Sequence, residues 1–461
     1  MDAQGWPSCT ELNEIRERVS KMANVNTEEV RVVVSPYRIC PLGAHIDHQG
    51  GTVLAMTINK GILLGFAPSA NHQVVIHSGQ FQGEIKFSDR YLIELMRLSS
   101  QKISVWPKIL LSYMNNVTGG VMLEEQYMHY RVEETISLSQ PSIRRVMAPV
   151  FELATVEVKP IKEGITGYIC GSEGFDSSGL SSSAAVGVAY LMALEYANNL
   201  VISPTENIEY DSAVKVWNMQ TKDYKLVYQP KESEQPKATS ILVALSGLKQ
   251  ALTNSLGYNK RVTECREAAK LLLEASGDYK TEPILSNGQY LSFSHVNLVI
   301  SFIEKLTHLF FCLFHCAVDP EVYEAHKDKL EPNLAKRAEH YFSENMRVMK
   351  GLEAWSLGKL KDFGMLITAS GRSSIQNYEC GCEPLIQLYE ILLRAPGVLG
   401  ARFSGAGFRG CCVAFVEADL ATEAASFVRK EYLKVQPELA SRIQNDTAVL
   451  ICDSGECARV I

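Results

Sequence analysis

The segment Gly179-Leu180-Ser181-Ser182-Ser183-Ala184-Ala185, running on into Val186-Gly187-Val188-Ala189-Tyr190-Leu191-Met192-Ala193-Leu194, constrains this chain more than any other. Hydroxyl residues stand where a helix has to begin, and the small residues behind them let that helix sit deep in a core. The start of a helix presents unpaired N–H groups and the positive end of the helix dipole, so it can hold a phosphate without any lysine. Gly179 lets backbone approach a ligand closely, and the hydroxyls of Ser181, Ser182 and Ser183 can donate to phosphate or face a magnesium ion. Taken alone, the same residues also fit a Ser-capped core helix with no ligand.

Two further loops stand beside it. Arg38-Ile39-Cys40-Pro41-Leu42-Gly43-Ala44-His45-Ile46-Asp47-His48-Gln49-Gly50-Gly51 packs an arginine, two histidines and an aspartate into a Gly-containing connection between strands. Such side chains suit a hydroxyl-rich ligand; a solvated loop or an H-x-D-H metal cluster are the other readings. Near the C-terminus, Gly400-Ala401-Arg402-Phe403-Ser404-Gly405-Ala406-Gly407-Phe408-Arg409-Gly410 joins two strand-like runs through a loop that tolerates positive φ.

Periodicity predicts a helix over 11–23 and strands at Val30–Val34, Thr52–Ile58, Ile62–Phe66 and Val74–Ile76, separated by polar or Gly-containing joints. Helical spacing returns at 262–275, 334–350, 359–370 and 384–394, and strands at 398–403, 411–416 and 447–452, so the class is α+β. The 461 residues suffice for two domains, and the Pro-, Lys-, Glu- and Gln-rich stretch 229–237 is the candidate boundary. With 45 Lys+Arg against 52 Asp+Glu the net charge is −7, and no basic run offers a phosphate-backbone footprint, so small molecules rather than nucleic acid are the expected partners. The start of the chain lacks the basic and apolar regions of a secretory signal, so a cytoplasmic protein with reduced thiols is expected. No C-x-x-C pair suggests zinc. Val296–Cys316 is apolar and aromatic enough to raise the question of a membrane span, but Glu304, Lys305 and His308 inside it favour a buried helix and no membrane partner.

Together the three loops resemble the GHMP small-molecule kinases, and within them the galactokinase branch. Lys336-Arg337-Ala338-Glu339-His340 through Arg347-Val348, and Tyr378-Glu379-Cys380, extend the likeness. The resemblance implies a two-domain fold: an N-terminal domain like ribosomal protein S5 domain 2 over 1–237 and a ferredoxin-like domain over 238–461. It implies ATP and Mg2+, with Gly179, Ser181, Ser182, Ser183, Gly405, Ala406 and Gly407 at the nucleotide and Ser182 and Ser183 at the metal. Arg38 is implied as the catalytic residue that orients the anomeric hydroxyl, and Ala44, His45, Asp47, His48 and Tyr258 as sugar-binding residues.

The chain departs from the branch at two places that bear on chemistry. Ala44 stands where galactokinases carry a glutamate that contacts the sugar 6-hydroxyl, and His48 replaces their tyrosine. Two carboxylates about 4 Å apart at an effective dielectric near 20 repel by about 4 kcal/mol, so alanine opens the site to a sugar bearing a 6-carboxylate. The expected activity is accordingly phosphorylation of D-galacturonic acid at C1, as in the plant-type members of the branch, with galactose as the alternative substrate. Arg38, His48 and Tyr258 are the candidate neighbours of the acid group. The second departure is Ser212–Lys237, which matches nothing in the family where a base-bearing loop belongs. Asp211 and Asp223 are the nearby acids, and no base is assigned; a sugar and ATP binder without turnover is the competing expectation. Residues 115–160 and 288–316 likewise lack family counterparts.

Overall fold

The computed structural model describes residues 6–70, 73–79, 84–88, 163–172, 180, 182–199, 213–218, 224–228, 238–248, 256–277, 318–405, 407–408, 410–443 and 447–461. Two compact units divide the chain: Met1–Arg38, Thr57–Asp211 and Cys452–Ile461 form the first, Ile39–Met56 and Ser212–Ile451 the second. The chain passes from one unit to the other within strand β1 (Arg31–Leu42) and again within β2 (Thr52–Ser69).

The first unit begins with helix α1 (Cys9–Ala23), which Ser8 and Glu11 cap reciprocally as a capping box. Its face of Ile15 and Val19 is buried against Val30, Val32, Val34, Leu63, Ala67 and Tyr168, the 3.6-residue spacing that the sequence carries. The sheet beneath it continues through β3 (Gln73–Ser78), β4 (Glu84–Ser88) and β5 (Gly164–Gly171), with β5 antiparallel to β2 and parallel to β3. Helix α2 (Ser182–Ala197) starts at the Ser-rich segment and is apolar almost all round; Ala185, Ala189, Tyr190, Ala193 and Leu194 are buried. Ser35 of β1 donates to the Ala185 carbonyl at 2.8 Å, tying the helix to the sheet.

A joint at residues 59–61 is expected from the sequence, but β2 runs unbroken through it. Gly61 marks a close approach rather than a turn, since a Cβ there would stand 2.3 Å from the Ser35 carbonyl oxygen. Asn59 continues the pairing, its N–H donating to the Asp453 carbonyl and its side chain accepting from the Asp453 N–H.

In the second unit the first residues of β2, Thr52–Ala55, pair with β6 (Ala213–Asn218), which pairs in turn with β7 (Tyr224–Tyr228). A separate four-stranded sheet is built from β8 (Thr239–Leu245), β9 (Val398–Phe403), β10 (Cys411–Glu417) and β11 (Val449–Cys452), in the order β11-β8-β10-β9, with β10 antiparallel to both β8 and β9. Around these strands lie α3 (Leu256–Ser276), α4 (Pro320–His326), α5 (Pro332–Ser356), α6 (Leu360–Gln376), α7 (Glu383–Arg394) and α8 (Ala421–Val435). Leu385, Leu388, Ile391 and Leu392 of α7 share a core with Val428 and Tyr432 of α8 and with Leu242, Ala401, Cys412 and Val416 of the sheet. The segment Val296–Cys316 lies outside the described residues, and among the described residues no helix is long and apolar enough to cross a membrane.

Helix α6 approaches β9 through two glycines. A Cβ on Gly364 would stand 2.3 Å from the Leu399 carbonyl oxygen, and one on Gly400 would stand 1.9 Å from the Gly364 oxygen. Backbone cannot yield as a side chain does, so Gly364→Ala should lower the unfolding free energy by about 1–3 kcal/mol. A lower urea midpoint with an unchanged slope is the expected readout, and an unchanged midpoint would refute the close approach.

Candidate active site

The loop after β1 is shaped by its backbone. Gly43 has φ +96°, and a Cβ there would stand 2.7 Å from the Val53 Cα, so both conformation and space call for glycine. His45 also lies at positive φ, +58°, which is uncommon for a side chain of its size. The loop then closes on itself: the Gln49 side chain donates to the His45 carbonyl at 2.8 Å, and the Gly51 N–H donates to the Ile46 carbonyl at 2.9 Å.

What holds this conformation comes from α5 and α6. One carboxylate oxygen of Glu344, Oε1, accepts the Gly43 N–H at 2.8 Å, the Ala44 N–H at 3.0 Å and the Ser370 hydroxyl at 2.6 Å. Its other oxygen pairs with Arg347 Nε at 2.7 Å. Burial of this side chain opposes its charge, yet Arg347, His340, Arg402 and the Ser370 hydroxyl outweigh burial and bring its pKa down to about 2. On the other side of the same peptide, His340 Nε2 donates to the Ala44 carbonyl at 2.8 Å while its Nδ1 accepts from Ser373 at 2.9 Å. This arrangement is the neutral tautomer, in keeping with burial, which pushes the His340 pKa down to about 4.

His45 is sandwiched. Its ring stacks on Tyr378 with centroids 4.2 Å apart and planes 4° from parallel, and its Nε2 lies 3.3 Å from Cys380 Sγ. Burial first, and the neighbouring His340 and Arg402 next, hold its pKa well below the ordinary value, so it is a neutral imidazole near pH 7. Tyr378 and Cys380 flank Glu379, a positive-φ residue fixed by Arg337, Lys336 and Arg261. Arg337, wholly buried, also meets Glu264 of α3 at 2.7 Å and donates to the Asn377 carbonyl. Arg402 of β9, buried as well, donates to the carbonyls of Cys40 and Pro41 at 3.0 and 3.4 Å, anchoring the strand from which the loop departs.

Within the second unit, then, Ala44 and His45 are brought together with Tyr378, Cys380 and the Gly-rich loop. Gly405 and Gly407 both have positive φ, +71° and +76°, and a Cβ on Gly407 would stand 2.8 Å from Cys380 Sγ. Asp47 is exposed on the short turn Asp47–Gln49, 3.6 Å from His48 Nδ1. Tyr258 falls in the first turn of α3, with its side chain outside the described set. In the first unit, Arg38 is exposed near the end of β1, and Ser182 and Ser183 open α2. Gly179, Ser181, Ala406, Asp211 and Asp223 lie outside the described residues. The residues that sequence reasoning missed are Glu344, Ser370, Ser373 and the anchoring role of Arg402. The signal for the first was present: Tyr341, Glu344 and Val348 share the buried stripe of α5, and an acid on such a stripe has to be paired.

The arrangement in the second unit therefore presents a polar loop of fixed conformation with a neutral imidazole, a group that carries one hydrogen-bond donor and one acceptor. The C-terminal model of the GHMP kinases matches residues 348–434. A galacturonokinase of Arabidopsis thaliana is 50% identical over 99% of this chain and 99% of its own length. A galactokinase of Lactiplantibacillus plantarum is 25% identical over 86% of this chain and 87% of its own. The structure of Lactococcus lactis galactokinase complexed with galactose superposes with a TM-score of 0.66 at 22% identity, covering 98% of this chain and 99% of that one. The chain belongs to the GHMP kinase family, on the branch that holds the galacturonokinase and the galactokinases.

Both shifted groups that clamp Ala44 make stability fall with acid. His340 binds its proton near pH 6.5 when unfolded and only near about 4 when folded, so its contribution is complete above pH 6.5 and is lost as the pH falls toward 4. Glu344 is ionised in the fold down to about 2 against 4.5 unfolded, and its contribution is lost over that lower window. Urea unfolding should show the His340 share as a decline of about 3 kcal/mol between neutral pH and pH 4. His340→Gln should flatten that decline, and an unaltered slope would overturn the assignment.

Proposed function

We propose that this chain is an ATP-dependent sugar-1-kinase that phosphorylates D-galacturonic acid at C1, giving galacturonate 1-phosphate. The observation that carries the reading is the half-identity to a galacturonokinase over nearly the whole of both chains, with galactokinases at about half that identity. Ala44 supports it physically: a loop held by its backbone carries no acid at the position where one would repel a substrate carboxylate.

In this reading His45 and Asp47 bind sugar hydroxyls, Arg38 orients the anomeric hydroxyl and steadies developing charge, and Arg38, His48 and Tyr258 are the candidate neighbours of the acid group. The N–H groups at the start of α2 and the backbone of Gly405, Ala406 and Gly407 receive the nucleotide phosphates. Gly179 and Ser181 are assigned to the same nucleotide-binding role. Ser182 and Ser183, the first residues of α2, would hold magnesium beside the ATP phosphates, which supply most of its oxygens. When bound, it neutralises charge on the transferring phosphoryl group. Among the described residues no cluster of three or more His, Cys, Asp or Glu side chains offers a competing metal site. The γ-phosphoryl group passes to O1 of the sugar, whose proton leaves, and ADP departs; positioning supplies most of the acceleration. A cytoplasmic location belongs to the same reading, supported by the free thiols of every described cysteine.

An ADP-release assay offering galacturonate, glucuronate and galactose in parallel tests the reading. The kcat/KM for galacturonate should exceed that for galactose, and Ala44→Glu should lower the galacturonate value by about a hundredfold or more, as a restored repulsion of a few kcal/mol requires. Ala44→Glu, with thermal stability measured alongside, should shift the preference toward galactose. Equal use of both sugars would count against the charge argument, and binding of sugar and ATP without sugar 1-phosphate would replace the kinase by a binder.

A further inference from the structure

The peptide of Ala44 is clamped from both sides without any use of its side chain. Its N–H, together with that of Gly43, points at Glu344 Oε1, and its carbonyl accepts from His340. Two successive N–H groups converge on one oxygen only when the backbone takes up a nest-like turn, here with positive φ at Gly43 and His45. A nest of this kind commonly receives an external anion, but here a buried side chain from α5 fills it. Burying a carboxylate costs several kcal/mol before compensation, far more than an apolar helix contact needs to hold a loop. What a carboxylate adds is direction: it fixes where the Cβ of residue 44 and the ring of His45 point.

We infer that Glu344, seated by Arg347 and Ser370, is a positioning residue for sugar selection, setting the loop that discriminates one hexose from another. The inference rests on the reading that residues 44 to 48 bind the sugar. Glu344→Gln keeps an oxygen for both N–H groups and for Ser370 but sets an amide against Arg347, whereas Glu344→Ala leaves all these donors unanswered. Ser370→Ala removes one donor only.

Steady-state kinetics on folded, full-length variants, joined to amide hydrogen exchange at residues 43–45, test it. Glu344→Ala should raise the sugar KM about 10- to 100-fold and speed exchange of the two amides, with the ATP KM changed less than about twofold. Glu344→Gln should recover most of that loss, and Ser370→Ala should raise the sugar KM by about two- to fivefold. If Glu344→Ala does not fold, the two milder variants decide. Unchanged sugar KM and exchange, or sugar and ATP KM rising together as in general loosening, would overturn the inference. A wild-type enzyme that uses galactose in place of galacturonate would defeat the functional reading alone, since the galactose KM then reports on Glu344. One that phosphorylates no hexose overturns both.

Discussion

A single buried carboxylate organises the second unit. Glu344 is fully enclosed, and an ion in that position is tolerable only when it is paired and its lone pairs are used. Arg347 supplies the charge, and Ser370 with two loop amides supplies the donors. The requirement works in both directions. The loop needs the carboxylate because its amides are buried, and the carboxylate needs the loop because one arginine leaves an oxygen unsatisfied. Strand end, loop and two helices are therefore coupled through one ion.

The same helix face governs the other side of His45. Arg337, His340 and Glu344 recur at three and four residues along α5, so one stripe faces both the Ala44 peptide and the Tyr378–Cys380 segment. Arg337 spans Glu264 and Glu379, and the latter is drawn down to about 2, first by the hydrogen bonds from Lys336 and Arg337. That pairing fixes the positive-φ residue between Tyr378 and Cys380, which in turn presents a flat ring and a thiol to His45. The imidazole stays neutral because it is buried and faces His340 and the cation Arg402, so it offers a hydrogen-bonding group rather than a charge.

Much of this was legible from the residues. Apolar spacing found α1, the cores of α5, α6 and α7, and strands β9, β10 and β11 because each buries one face or lies between layers. The loops were legible as chemistry because glycine, histidine and serine cluster there without an apolar period. Other features were not, and three of them show why. Gly61 reads as a break, yet it admits the backbone of Ser35. Helix α8, whose buried face is mostly alanine, gives too weak an apolar period to be read. The partners of Glu344 lie 26 residues away at Ser370 and 300 at Ala44, a pairing that spacing along a chain does not encode.

The backbone clamp does not depend on which side chain stands at position 44. The hydrogen bonds that fix residue 44 use its N–H and its carbonyl, groups that all residues but proline share. Under the proposed sugar-binding role, the side chain there can answer to the ligand while these bonds hold the loop. Gly43 has no such freedom, since its φ and its contact with Val53 exclude a side chain. Neighbouring residues of one loop are therefore constrained for different reasons: Gly43 by its own conformation and space, Ala44 through its backbone, with the buried acid beneath them bonded to both.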